Sequence, residues 1–173
     1  HALTHGPMDA YPFHRELSAS LAASPEAVFP LLDDPVRLAA HMGQRSAMLA
    51  GGKMRTETDE RLGQEVGSVI RMSGRILGMS IWLEEAVVER VSPQRKTWET
   101  LGEPQLLVIG RYRMGFDLAQ RGQGTRLRVW IDYNLPSSRW QRWLGRLFGG
   151  MYADWCVRKM VQTTAQAVKG NVR

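Results

Sequence analysis

The beginning of the chain combines a β-strand pattern with two consecutive helix starts. Phe13 to Leu21 is an alternating segment, which is typical of a half-buried strand. Ser24-Pro25-Glu26 and Asp34-Pro35-Val36 each place a side-chain acceptor at the N-cap and a proline at the first helical position, where the missing N–H costs no hydrogen bond. The chain is therefore predicted to open as a strand followed by two short helices.

The sequence after these helices predicts only strands up to about residue 133, followed by one long helix. Short turns rich in glycine and proline separate the strands, and such short connections favour antiparallel pairing. The expected fold is α+β, a curved antiparallel sheet that grips a helix around an internal pocket. The six further strands are predicted at Ala47 to Thr58, Val66 to Arg75, Met79 to Val91, Arg95 to Leu101, Leu106 to Leu118, and Arg126 to Tyr133.

Alternation assigns the inner face of the last two strands, because successive side chains point to opposite sides of a sheet. Glu84 and Glu85 interrupt the apolar pattern of the preceding strand, and we expect a β-bulge there. The predicted inner residues are Leu106, Val108, Tyr112, Met114, Phe116 and Leu118, followed by Leu127, Val129, Ile131 and Tyr133.

The final helix is expected to begin after a cap at Ser137 or Ser138 and to end near Ala167. A second apolar set, from Val157 to Val168, is rotated from the first by about a quarter turn at 3.6 residues per turn. Gly149-Gly150 lies where the rotation begins, so we expect a kink or a change of pitch there. The first apolar stripe consists of Trp140, Leu144, Leu147, Phe148, Met151 and Trp155.

Length and composition limit the classes of protein to consider. A chain of 173 residues predicts one domain, expected at residues 13–170 after a flexible tail at 1–12. No run of 18 apolar residues is present, which argues against a membrane-spanning helix. The single cysteine, Cys156, excludes an internal disulfide framework, favours a cytoplasmic location and is expected to be a small core residue.

Several segments together resemble the START-like (SRPBCC) superfamily, which includes polyketide cyclases and plant pollen-allergen proteins. The matching residues are Ser24 to Phe29 with Leu32 to Pro35, then Val88 to Arg95 with Trp98, and finally Gly124 to Leu127. The resemblance covers about residues 13–168. It implies a helix-grip fold, with a seven-stranded antiparallel sheet wrapped around the C-terminal helix and a ligand cavity between them. It does not imply one activity, since some members bind apolar molecules and others catalyse.

The sequence contains no metal-binding, nucleophile-elbow or phosphate-loop motif, so no metal or cofactor is expected. His41 is a candidate acid or base, or a solvated surface histidine. Tyr112 and Tyr133 fall on inner faces, where each phenol contacts either the backbone or a ligand oxygen. The candidate ligand-binding residues, which are equally suited to an ordinary core, are Met72, Trp98, Tyr112, Met114, Tyr133, Met151 and Trp155.

The start of the final helix is basic and rich in tryptophan. Its apolar side packs on the protein's own sheet, or it lies on an anionic membrane or a partner. The residues predicted for such an outer surface are Arg139, Arg142, Trp143 and Arg146. The net charge of +6 favours acidic partners. We expect no nucleic-acid role, because the positive residues are scattered and no such motif is present.

Three functions are compatible with these features. The first is binding of a small hydrophobic molecule, lipid or polyketide-like, between the sheet and the final helix. The second is an enzyme of the polyketide cyclase or dehydratase type, with His41, Tyr112 or Tyr133 transferring protons. The third is a peripheral membrane lipid carrier. The sequence leaves the ligand, the presence of catalysis and the oligomeric state open.

Overall fold

The structure, a computed structural model, describes residues 11–39, 54–76 and 78–171. The elements follow in the order β1 (Phe13–Leu21), α1 (Pro25–Asp33), α2 (described at 35–39), β2 (Met54–Thr58), β3 (Val69–Ile76), β4 (Met79–Val91), β5 (Arg95–Thr100), β6 (Tyr112–Arg121), β7 (Gly124–Tyr133) and α3 (Arg139–Asn171). His41 and the part of the second predicted strand before Met54 lie outside the described residues.

All seven strands form one antiparallel sheet in the order β1-β7-β6-β5-β4-β3-β2. Strands β2 to β7 follow one another as a meander, and β1 pairs with β7 at the far end. The long helix α3 packs against β1 and β7 and against α1. The predicted helix-grip architecture, with two short helices after the first strand, is confirmed.

Both predicted helix starts have the expected caps. The Ser24 hydroxyl accepts a hydrogen bond from the Ala27 N–H at 3.3 Å, and Pro25 occupies the first helical position of α1. A carboxylate oxygen of Asp34 accepts from the Val36 and Arg37 N–H groups at 3.1 and 3.2 Å. These bonds satisfy donors that the first turn of a helix leaves free, and they fix the direction in which α1 and α2 leave the sheet.

The packing of α3 on the sheet differs from the prediction. Its buried side begins with small residues, Gly145, Gly149 and Ala153, and continues with larger ones in the C-terminal half. A Cβ atom at Gly145 or Gly149 would lie only 2.8 or 3.0 Å from the Val108 carbonyl oxygen. The helix is continuous through Gly149-Gly150. Gly149 allows close approach of the Val108 backbone, whereas a Cβ at Gly150 would meet the Arg15 guanidinium group.

Most of the first apolar stripe is consequently on the solvent side of α3, while Leu144 and Trp155 are half-buried. Of the two arrangements that the sequence left open, packing of this stripe on the sheet is wrong for the exposed members. Trp143 is 63% exposed and Met151 is 68% exposed. Trp140, Leu147 and Phe148 are exposed as well. Hydrophobicity alone indicated the wrong face, because a glycine face brings the two backbones closer than tryptophan side chains would.

Two strand details are also corrected. β6 begins at Tyr112 rather than Leu106. The Gly110 N–H still donates to the Asn134 carbonyl at 2.8 Å, next to the end of β7, and Val108 lies beneath α3. The bulge lies at Val88, where the register between β4 and β5 shifts, rather than at Glu84-Glu85. Glu85 therefore keeps the alternation of its strand and points inward.

Candidate functional site

A row of cross-strand neighbours carries polar groups into the inner face of the sheet. Glu85 of β4 pairs with Ile70 of β3 on one side and with Thr100 of β5 on the other. The Thr100 hydroxyl accepts from the Tyr112 N–H at 3.2 Å, and Tyr112 of β6 pairs with Tyr133 of β7. We call this set, Ile70, Glu85, Thr100, Tyr112 and Tyr133, the inner row. All five members are buried.

The central contact of the inner row joins Tyr112 to Glu85. The Tyr112 hydroxyl donates a hydrogen bond of 2.6 Å to Oε2 of Glu85, reaching across β5. Burial raises the pKa of Glu85 to about 7, although this hydrogen bond and the charge of Lys96 both lower it. Burial and the neighbouring Glu85 raise the pKa of Tyr112 well above its ordinary value. Near neutral pH the tyrosine is thus a neutral donor, while the carboxyl group exchanges a proton.

Helix α3 adds a second set of side chains close to this pair. The Tyr152 hydroxyl lies against the Cys156 thiol, and both groups contribute to the raised pKa of Tyr112. Burial raises the pKa of Cys156 to about 12, so the thiol is neutral and unreactive. Trp155 stacks on Tyr152 with ring centroids 6.0 Å apart. Tyr152, which is 39% exposed, and the buried Cys156 therefore lie near Tyr112.

The other predicted ligand-binding residues occupy different environments. Trp98 and Met114 are cross-strand partners within the hydrophobic core, and Trp98 also packs against Phe116 with ring centroids 6.3 Å apart. Tyr133 stacks on Phe13 at 5.3 Å. The side chains that are not fully buried are Met72 and Trp155, which are half-buried, and Met151, which is exposed.

Sequence reasoning missed Glu85 as a site residue. The signal was present in the alternation of β4, where Ile81, Leu83, Glu85 and Val87 occupy successive inner positions. A carboxyl group at one of these positions is unusual, because burial of an ionisable group costs several kcal/mol unless it is neutral or paired. A bulge at the two glutamates was the wrong explanation for the interruption.

A second buried polar cluster lies where α1 meets the sheet. The Lys96 ammonium group donates to Oδ1 of Asp33 at 2.9 Å and to the carbonyl oxygens of Asp33 and Gly63 at 3.0 and 2.6 Å. Arg90 donates to both carboxylate oxygens of Asp33, at 3.1 and 2.7 Å. Although burial acts in the opposite direction, the bonds from Arg90 and Lys96 keep the pKa of Asp33 below its ordinary value. Every buried side-chain polar atom of this cluster has a partner, which indicates a structural role.

Two cavities lined by described residues lie elsewhere. One, of about 20 Å³, lies between α1, α2 and α3 and accommodates no more than a water molecule. The other is an open groove of about 400 Å³ between the start of α1, the β4–β5 turn and the end of β6. Its rim carries Glu26, Arg95 and Asp117, which makes it a poor match for an apolar ligand.

Neither a metal site nor a spanning helix is found within the ranges 11–39, 54–76 and 78–171. No three side chains of histidine, cysteine, aspartate or glutamate come together there in a way that could hold a metal ion. No helix in those ranges combines the length and the apolar character that crossing a bilayer requires.

Residues 13–172 match the family described as polyketide cyclase / dehydrase and lipid transport. The chain belongs to this family. The match extends from β1 to the end of α3, so it includes the inner row and both sides of the helix. No curated protein is significantly similar to the chain in sequence.

Solved structures with the same fold share little sequence with the chain. A protein from Thermus thermophilus is 16% identical, with a TM-score of 0.68 over 93% of this chain and 100% of its own. The Zhui aromatase/cyclase from Streptomyces is 13% identical, with a TM-score of 0.65 over 93% and 96%. Norcoclaurine synthase from Thalictrum flavum, solved as a point mutant with a transition-state analogue, is 11% identical, with a TM-score of 0.63 over 93% and 96%. These likenesses show the helix-grip fold.

Proposed function

We propose that the protein binds a small, largely apolar molecule between the inner face of the sheet and α3, and that Glu85 and Tyr112 contact a polar group on it. The observation that carries this proposal is the buried hydrogen bond between these two side chains. The neighbouring inner positions of β4, Leu83 and Val87, are apolar, as is Met114 on β6. A ligand placed there would bury hydrocarbon against these apolar side chains and would meet polar groups at the pair.

The chemistry of the pair defines the polar group that it would bind. A protonated Glu85 donates to a carbonyl oxygen, whereas an ionised Glu85 accepts from a hydroxyl group. Because the pKa of Glu85 is about 7, both forms are populated near neutrality. Tyr112 stays protonated, and its single O–H either remains on the ionised Glu85 or turns to the ligand when Glu85 is protonated. The proposed ligand is therefore an apolar molecule with a carbonyl or hydroxyl group.

Native mass spectrometry of the freshly purified protein, followed by organic extraction, tests this proposal. We expect a discrete bound mass in the wild type and its loss or reduction in Tyr112→Phe and in Glu85→Gln. Tyr133→Phe is the matched control, since it removes a phenol from the same row without touching Glu85. Removing one hydrogen bond to the ligand should weaken binding by about 5- to 100-fold, with the larger effect where the bond involves a charged group.

A mass that corresponds to the protein without ligand does not by itself contradict the proposal, because a weakly bound ligand is lost during purification. Titration with 1-anilinonaphthalene-8-sulfonate, an apolar fluorescent probe, covers that case. Saturable enhancement that falls in Tyr112→Phe and not in Tyr133→Phe supports the site. An apo mass together with no saturable enhancement would overturn the proposal.

Catalysis of the cyclase or dehydratase type is the second candidate, and the pKa of Glu85 favours it. A carboxyl group that exchanges a proton near pH 7 can act as a general acid or base. In this case Glu85 would remove a proton from carbon or protonate a departing hydroxyl group, with Tyr112 bonded to the developing oxyanion. Incubation with a linear β-polyketone should then give cyclised or dehydrated product. Glu85→Gln should stop turnover, an effect larger than its roughly 5- to 100-fold weakening of binding.

A further inference from the structure

The solvent side of α3 carries a continuous apolar surface that the fold does not use. We call it the α3 stripe, and its members are Trp140, Trp143, Leu147, Phe148 and Met151, which are 46 to 68% exposed. Their spacing of three or four residues places them along one side of the helix. A contiguous exposed patch of this kind marks an interaction surface more often than isolated exposed residues do.

The arrangement of α3 explains why the stripe is free. The opposite side of the helix packs through Gly145, Gly149 and Ala153 against β1, β7 and the segment at Val108. Packing on the sheet is therefore complete without the tryptophans. Their exposure is a property of the helix orientation and requires a separate reason.

Charge distinguishes between the candidate occupants of this surface. The chain from 133 to 153 contains no aspartate or glutamate but includes Arg139, Arg142 and Arg146, and all three arginines are exposed. Two copies joined through this surface would bring six arginines together, which repel one another at close range. An anionic lipid surface instead pairs with the arginines and accepts the apolar side chains in its acyl region.

We propose that the first half of α3 docks on an anionic lipid bilayer, lying flat in the interface with the α3 stripe toward the acyl chains. Trp140 and Trp143 are suited to this depth, because an indole ring has an apolar body and a polar N–H. The long arginine side chains reach from the helix to lipid phosphates. Residues 140 to 151 extend over about 18 Å at 1.5 Å per residue, which suffices for an interfacial segment. This docking does not depend on the proposed ligand site.

Vesicle flotation tests the docking. The full chain is mixed with vesicles of phosphatidylcholine alone or of phosphatidylcholine with phosphatidylserine, at low and at high salt. We expect flotation with the anionic vesicles at low salt and much less with either the neutral vesicles or high salt. Tryptophan emission should shift to the blue under the same conditions that give flotation.

The variants use exposed positions so that folding is preserved. Trp143→Ser/Leu147→Ser should abolish flotation, and Arg139→Gln/Arg142→Gln/Arg146→Gln should weaken binding on the order of a hundredfold. Leu62→Ser/Val66→Ser is the matched control, since these residues are 58 and 57% exposed outside α3. Circular dichroism verifies that each variant keeps its fold.

Three results would overturn the proposal. The first is absence of flotation and of an emission shift with anionic vesicles at low salt. The second is equal binding by wild type and Trp143→Ser/Leu147→Ser. The third is a dimer in sedimentation that dissociates in this variant, together with no vesicle binding, because a second copy would then be the occupant. Loss of the bound small molecule in Tyr112→Phe leaves the docking result unaffected, so the two proposals fail separately.

Discussion

Tyr112 and Glu85 belong to strands that are not neighbours, and the Tyr112 hydroxyl bridges β5 to donate a 2.6 Å hydrogen bond to Glu85. The contact links β6 to β4 on the inner face, where the other nearby side chains of β4 are apolar. It keeps a carboxyl group inside the protein without a directly bonded cation, which explains why its proton affinity rises.

The stability of the protein should depend on pH through Glu85. Its pKa is about 7 in the folded protein and 4.5 ordinarily, so the folded state binds the proton more tightly. The resulting stabilisation is complete below about pH 4.5, is lost as the pH rises to about 7, and changes no further above that. The total is about 3 kcal/mol, at 1.36 kcal/mol for each pH unit.

Glu85→Gln isolates this effect, because it removes the titrating group and retains a similar shape. Urea unfolding at a series of pH values gives the free energy of unfolding of both proteins. The difference between them, wild type minus variant, should fall by about 3 kcal/mol from pH 4.5 to pH 7. A constant difference across this range would show that Glu85 ionises normally in the folded state.

In the buried polar cluster where α1 meets the sheet, changes at Asp33 and Lys96 should be strongly coupled in their effects on the free energy of unfolding. Asp33→Asn leaves the buried Lys96 ammonium group without a carboxylate partner and should cost about 3–5 kcal/mol. Lys96→Met should cost less, because Arg90 still donates to both carboxylate oxygens of Asp33. The double variant Asp33→Asn/Lys96→Met should recover part of that loss, since no unpaired charge remains between these two residues. Urea unfolding of the four proteins gives the coupling energy.

The exposed pair Arg55–Glu57 provides the control for this cycle. Its N–O distance of 2.8 Å is similar, but both side chains are largely in solvent. Replacement of both by glutamine should change the free energy of unfolding by less than about 1 kcal/mol. Equal coupling in the exposed and buried pairs would refute the claim that burial controls the energy of the Asp33–Lys96 contact.

Features that depend on local sequence were predictable, and features that depend on tertiary packing were not. Capping at Ser24 and Asp34 acts over three residues, so the sequence alone located both helix starts. The side of α3 that faces the sheet depends on how closely the Val108 backbone approaches Gly145, which no helical periodicity reveals. For this reason the sequence left open which side the stripe with the larger hydrophobic residues faces.

The candidate site was predicted in part for the same reason. The inward position of Tyr112 followed from alternation along β6, which is a local property. Its partner Glu85 is 27 positions away, and the pairing depends on the register of three strands. The alternation of β4 was sufficient to place Glu85 inside, but an ionisable residue in an apolar pattern suggested an irregularity instead.

The glycine side of α3 should not tolerate a side chain. In Gly145→Ala the new methyl group would meet the Val108 carbonyl oxygen at 2.8 Å and Leu135 at 3.0 Å. The strain should cost about 1–3 kcal/mol, which exceeds the helix-propensity gain of about 1 kcal/mol. Gly170→Ala, where nothing lies within 4 Å, should be neutral or stabilising. Thermal unfolding of both variants measures the contrast, and a stabilised Gly145→Ala would disprove the close approach.

Cys156 should report directly on the opening of α3. It is the single cysteine of the chain, it is buried, and burial raises its pKa to about 12 from an ordinary value of 9.0. At pH 8 the thiolate fraction is therefore about a thousandfold lower than for an exposed cysteine, and the reagent also lacks access. We expect a disulfide reagent such as 5,5′-dithiobis(2-nitrobenzoic acid) to label the native protein very slowly and the urea-unfolded protein within seconds.

Labelling of Gly145→Ala should be faster than that of the wild type, because a weakened contact at Val108 lets the helix separate from the sheet more often. Rapid labelling of the folded wild type would mean that α3 does not keep Cys156 buried in the hydrophobic core in solution.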